Sequence, residues 1–281
     1  MSKEIVKKET TAIAAPIPEL NVGADMGSLM TDYVIPRAHL QQGLSEAVTQ
    51  GEAFLGDVIR STTKEVIFTC SAPTKADTRE VLRVSKENPV RIIPLAIRML
   101  WTNFEEINGK MEYRGEEPRT AQNATLPIEY EQNGTKWKRY STIGVFALLE
   151  TDVLAEIEEE KSDNLPDMSK MLLPIYFSFK STSFKCGKEI STYFTNILNF
   201  RSRGKDVYPF SFSLPLWCSK VENTKGTFAV WSASQATKPV SKEVFAKAKG
   251  WFDNISKGFV KIDEVQESEG SSDASSTPTD Y

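Results

Sequence analysis

The stretch Val90-Arg-Ile-Ile-Pro-Leu-Ala-Ile-Arg-Met-Leu-Trp-Thr-Asn-Phe104 constrains the fold more than any other part of this chain. It is the most apolar segment, yet it carries Pro94 inside it. A proline in a helix interior removes one hydrogen bond and clashes with the preceding turn. The segment therefore reads as one or two buried strands, and a chain built around it needs further strands to pair with.

The remaining sequence offers them. Tyr33 to Gln42 is short and punctuated by Pro36, more strand than helix. Gly56 to Cys70 reads as a hairpin around Ser61-Thr-Thr-Lys64. After a polar excursion over 108–123, Leu126–Tyr130 and Lys136–Leu149 flank Asn133-Gly134, the strongest short-range hairpin signal. A third hairpin joins Val207–Trp217 to Thr227–Trp231. Two helices fall in the C-terminal half. Phe184 to Phe200 repeats apolar residues with helical period, and a second helix runs from an N-cap at Ser241 to a stop at Gly258. The expected fold is strand-dominated α+β, a partly open OB-like β-barrel elaborated by hairpins. Residues 1–30 read as a disordered arm, 31–262 as the body and 263–281 as a disordered acidic tail, with a subdivision at 150–167 left open.

Several function classes recede on composition. His39 is the single histidine, and Cys70, Cys186 and Cys218 are far apart, so no ordinary zinc site is expected and histidine acid–base chemistry has little to work with. Neither a metal nor a cofactor is expected. The plain reading of His39 is a polar residue near a strand. An odd number of scattered cysteines fits reduced thiols in a cytoplasm. No apolar run is long enough to cross a bilayer as a helix. The catalytic motifs Gly-x-Ser-x-Gly, His-Glu-x-x-His and the glycine-rich dinucleotide fingerprint are missing, and no enzymatic activity is expected.

Charge is segregated along the chain. The net charge of −4 includes six acids and no base over residues 263–281, and eight acids against Lys161 over 150–167. Between Met168 and Ile262, 15 Lys/Arg face five Asp/Glu, a local excess of +10. Such a region suits a polyanion partner.

Period-two alternation assigns side chains to strand faces. Lys136, Lys138, Tyr140 and Thr142 share one face, with Arg139 beside them; Trp137, Ile143, Val145 and Leu149 share the other. Tyr176, Ser178 and Lys180 oppose Ile175, Phe177 and Phe179. Trp217 lies with Ser211 and Ser213, opposite Phe210, Phe212, Leu214 and Leu216. Aromatics beside cations are what a non-specific single-strand binder uses, bases stacking on rings while lysines and arginines track phosphates. The plain alternative is an amphipathic sheet with solvated lysines.

Ser181-Thr-Ser-Phe-Lys-Cys-Gly-Lys188 offers hydroxyls, Lys185 and Lys188 at a helix start, which suits a phosphate; N-capping by Ser181 or Ser183 is the simpler account, and the spacing is not that of a P-loop. Arg201, Arg203 and Lys205 form a second basic cluster, either a solvated loop or further phosphate contacts.

The tail carries Asp263, Glu264, Glu267, Glu269, Asp273 and Asp280 and finishes on Tyr281. In this it resembles the single-stranded DNA-binding proteins of bacteria and bacteriophages, which join an OB-type barrel to an acidic tail ending in an aromatic or apolar residue. The resemblance implies that these positions dock replication or recombination proteins and compete with DNA for a basic groove. Val34-Ile-Pro-Arg37, Gly51-x4-Gly56-Asp57 and Phe179-Lys-Ser-Thr-Ser-Phe-Lys185 look like segments of tailed-phage proteins, which implies a phage origin.

The leading expectation is a phage protein that binds single-stranded DNA without sequence preference. RNA as an alternative ligand and self-association are left open. A virion or other structural component is the second reading. Magnesium-dependent chemistry by the acids of 150–167 is the third.

Overall fold

The computed structural model describes residues 33–72, 77, 79–162, 172–224 and 226–263. The arm, most of the tail (Glu264 to Tyr281) and residues 163–171 lie outside the described residues.

The apolar stretch forms a single strand. We label the elements β1 (Tyr33–Ile35), β2 (Arg37–Leu40), α1 (Glu46–Thr49), β3 (Asp57–Arg60), β4 (Val66–Thr69), β5 (Val90–Ile107), β6 (Lys110–Pro118), β7 (Glu129–Gln132), β8 (Thr135–Leu149), α2 (Glu150–Glu160), β9 (Ile175–Phe179), α3 (Phe184–Ser202), β10 (Phe212–Asn223), β11 (Gly226–Ala233), β12 (Lys238–Pro239), α4 (Lys242–Ser256) and β13 (Val260–Ile262). Pro94 is accommodated by a register shift between Pro94 and Ala96, so β5 stays continuous where a proline would otherwise cost a ladder bond.

β5 and β8 are the axis of one mixed sheet ordered β11-β10-β5-β8-β9-β2-β3-β4, with β6, β7 and β12 on side branches. β2 runs parallel to β9; the other pairings of this sheet are antiparallel. β1 and β13 form a separate parallel pair. The fold is thus strand-dominated α+β with a partly open sheet that is not closed into a barrel.

Both faces of the sheet centre are covered. Ile143, Val145, Phe177 and Phe179 pack beneath α3 through Cys186, Ile190, Tyr193 and Ile197. Phe146, Leu148, Tyr176 and Leu95 pack beneath α2 and α4 through Val153, Ile157, Val244 and Ala248. The face expected to display Tyr176 to a ligand is therefore interior. Tyr176 is 0% exposed and meets Gly144 on the neighbouring strand, where any Cβ would overlap the tyrosine ring.

Two further expectations are corrected. The polar excursion at 108–123 is largely strand: Asn108-Gly109 turns β5 back into β6, both residues in the left-handed region (φ 53° and 77°), as at Asn133-Gly134 (φ 54° and 78°). Residues 207–211 are not strand. Pro209–Ser211 form a 3-10 turn that sends Phe210 into the α4 side of the core, while Leu214 and Leu216 enter the α3 side.

Candidate nucleic-acid interface

The sequence-predicted site residues fall into separate places. The first is a four-stranded lobe, β6-β5-β8-β7, that extends β5 and β8 beyond the helices. On one of its faces Phe104 is the centre of an aromatic group, with Tyr140 at 5.5 Å and Tyr113 at 6.0 Å. Lys138 lies over Tyr140 and Lys180 over Phe104. Lys138, Tyr140 and Lys180 are thus brought together as their strand phases require. Cross-strand carboxylates accompany the cations, however: Lys138 bonds Glu129 at 3.0 Å and Lys136 lies 3.7 Å from Glu106.

Arg139 points to the opposite face. It is 6% exposed, stacks over Tyr130 (4.4 Å to the ring centre) and lies 3.8 Å from Glu117. Arg119 covers Trp101 on the same side, and Trp137 stacks on Tyr130. These guanidiniums pack on rings, Arg139 beside Glu117 of β6 and Arg119 donating to Ser141 Oγ, an arrangement that holds a sheet face together. The lobe is close to neutral: residues 105–139 hold seven acids and six bases.

The second place is α3. Its inner face is fixed by Gly187, where a Cβ would come within 2.9 Å of both Ile143 and Phe179, so the glycine lets the helix lie directly on β8 and β9. The Ser181–Lys188 segment therefore carries a packing glycine on its inner side, with Lys185 and Lys188 exposed. Ser183 is the N-cap residue of α3, but its side chain makes no capping bond; its Oγ instead accepts from the Trp231 backbone N–H of β11.

The outer face of α3 is cationic. Lys185 and Lys188 near its start, and Arg201, Arg203 and Lys205 at its end, are all exposed. Among the described residues, no carboxylate forms an ion pair with any of the five. Between the two groups lie half-buried Glu189 and the exposed, neutral, hydrogen-bonding side chains of Thr192, Thr195, Asn196 and Asn199. At the basic end Phe200 is 49% exposed and Leu198 63%. Arg201 lies over the Tyr208 ring at 4.6 Å. Helical period alone makes Phe200 the last residue of the helix and gives it no role. That period puts Phe200 in line with buried Tyr193 and Ile197, so only the structure shows it exposed.

Residues 9–261 match the family described as Pam3 phage gp34-like protein. The chain belongs to that family. No curated protein and no solved structure matches it. Family membership bears out the phage origin read from Val34–Arg37, Gly51–Asp57 and Phe179–Lys185.

Other sequence-predicted positions complete the survey. Trp217 is half-buried and packed against the α3-side core. Asp263 belongs to the body: its N–H donates to Ile35 O, and its carbonyl accepts from Arg37 Nε. Glu264, Glu267, Glu269, Asp273, Asp280 and Tyr281 lie outside the described residues. Among the described acids of 150–167, Glu156 and Glu160 pair with Lys247 and Glu150 with Arg91.

Proposed function

We propose that this phage protein binds single-stranded nucleic acid, DNA in the first instance, along the outer face of α3 and the loop that follows it. The observation that carries the reading is the set of five exposed cations, free of ion pairs among the described residues, joined by a run of hydroxyl and amide side chains and ending beside exposed Phe200. A helix of 19 residues spans roughly 28 Å at 1.5 Å per residue, enough to follow several nucleotides. The cations neutralise phosphates, Phe200 offers a face to a base, and neither function needs a particular sequence. Tyr176 is left out of the binding role because it is interior, and Lys136, Lys138 and Arg139 are secondary because carboxylates already accompany them. The acidic residues 264–281 compete for the same surface or dock replication and recombination partners. No enzymatic activity is part of the proposal.

Fluorescence titration of the full chain with an oligo-dT at two salt concentrations tests it. Binding that weakens with salt supports the reading; no binding at low salt, with residues 264–281 deleted, refutes it.

A structural role in the virion is the second reading, favoured by the lobe. There, among the described residues, β6 pairs only with β5 and β7 only with β8, so two strand edges face outward and offer pairing to another chain. Sedimentation as large assemblies without nucleic acid would favour it.

A further inference from the structure

We propose that Cys70 and Cys218 form a reversible dithiol–disulfide couple that locks the open seam of the sheet, with a small-molecule disulfide as its oxidant. Cys70 follows β4 at one end of the strand order, and Cys218 lies on β10 near the other end. They are 148 residues apart in sequence, yet both sulfurs lie against Gly56.

Gly56 fixes this meeting. Its carbonyl accepts from the Cys70 backbone N–H at 3.0 Å and lies 3.7 Å from Cys218 Sγ. A Cβ on Gly56, whose φ is +90°, would come within 2.5 Å of Cys70 Sγ, so the bare glycine makes room for the sulfur. Among the described residues no ladder joins the β4 and β10 sides, and a covalent bond here would add the link that backbone pairing does not supply.

The two thiols are unequal in the way an exchange couple requires. Cys70 is half-buried, and the neighbouring Cys218 thiol, helped by Lys220, holds it below the ordinary thiol value. Cys218 is 1% exposed and is pushed up by the Cys70 thiol and by burial. The thiolate is the attacking species, and access decides which sulfur reacts first. Cys70 S⁻ attacks one sulfur of the small disulfide and expels a thiolate, leaving a mixed disulfide on Cys70. Cys218 then loses its proton and attacks the Cys70 sulfur, expelling the second thiolate. The two cysteines lose two electrons, and the small disulfide is reduced to two thiols. Cys186, on the buried face of α3 and pushed up by burial, serves as the internal control.

The test is incubation of the full chain with oxidised glutathione, followed by thiol counting after denaturation and peptide mapping. The expected result is a fall from three free thiols to one, the Cys70 and Cys218 peptides linked, no glutathione retained, and full reversal by dithiothreitol. Cys218→Ala should trap glutathione on Cys70, and Cys186→Ala should leave the crosslink unchanged. Three surviving thiols, or a stable glutathione adduct on Cys70 of the unsubstituted chain, would overturn the proposal. The unsubstituted chain decides the question even if Cys218→Ala does not fold.

Discussion

The side-chain amide of Gln42 pairs with the backbone of Ala229 as a strand residue would: Nε2 donates to Ala229 O at 2.9 Å, and Oε1 accepts from Ala229 N–H at 3.0 Å. Gln42 follows β2 and Ala229 lies in β11 at the far end of the strand order. One amide thus spans a seam that, among the described residues, no ladder closes. Nearby, Phe68 of β4 and Trp231 of β11 meet edge to face, 5.9 Å apart, so the two ends of the sheet share one apolar interior.

Gln42→Ala should lower stability by about 1–3 kcal/mol, because two buried-side backbone groups lose their partner. Gln42→Glu should cost more than Gln42→Ala at neutral pH, since its carboxylate would face the Ala229 carbonyl. Urea unfolding midpoints at constant m-value are the measurement.

Gly144→Ala should destabilise the body by about 1–3 kcal/mol or more, since a methyl there overlaps the ring and hydroxyl of buried Tyr176. Tyr176→Phe, by contrast, should be neutral or stabilising. Among the described residues the Tyr176 hydroxyl has no hydrogen-bond partner, and burial raises its pKa, so deleting it removes an unmet polar group. The same substitution should leave oligo-dT affinity unchanged; a loss of binding would restore Tyr176 to the interface.

Replacing Lys185, Lys188 and Arg203 together with alanine should flatten the log K against log salt slope for single strands by roughly 2, at about 0.7 for each phosphate no longer neutralised. Phe200→Ala should weaken binding by about 1–3 kcal/mol at any salt concentration if a base stacks on the ring. Lys136→Ala with Lys138→Ala is the contrast, expected to change the slope little because Glu106 and Glu129 already offset these charges. A larger effect from the lobe pair than from the α3 set would move the interface to the lobe.

Acid should loosen the segment around Asp77. Its buried carboxylate bonds Arg79 at 2.8 Å and Arg83 at 3.1 Å, and these guanidiniums hold it well below the usual carboxylate range. Because the folded pKa lies below the unfolded value of about 3.9, this stabilisation is present above that pH and fades as pH falls toward the folded value. Thermal midpoints from pH 7 to pH 3 should show the difference between the native chain and Asp77→Asn shrinking below about pH 4. A difference that stays constant to pH 3 would mean that the ion pairs contribute nothing.

Much of the local structure was legible because it depends on near neighbours. Pro94 excluded helix, Asn133-Gly134 specified a hairpin, Ser241 capped α4 through Val244 N–H, and the period of Cys186, Ile190 and Ile197 drew α3. The Asn108-Gly109 turn carried the same signal as Asn133-Gly134, but the charged residues on either side of it disguised β6 as a loop. Within the candidate site, alternation correctly put Lys138 and Tyr140 on one face. It was silent on the carboxylates opposite, since register between strands follows from distant pairing.

By itself, then, the sequence determined a strand-dominated α+β chain with two C-terminal helices, and held segments that marked it as a phage protein. Tertiary structure decided which faces were surface. A strand's period says that Tyr176 and Phe177 point apart, but only the helices packed on both sides of the sheet make both of them interior. The same packing left α3 with a cationic outer face free of ion pairs among the described residues, while strand neighbours neutralised the lysines of β8. Exposure and charge pairing are properties of contacts between residues far apart in the chain, and the linear order of side chains does not contain them.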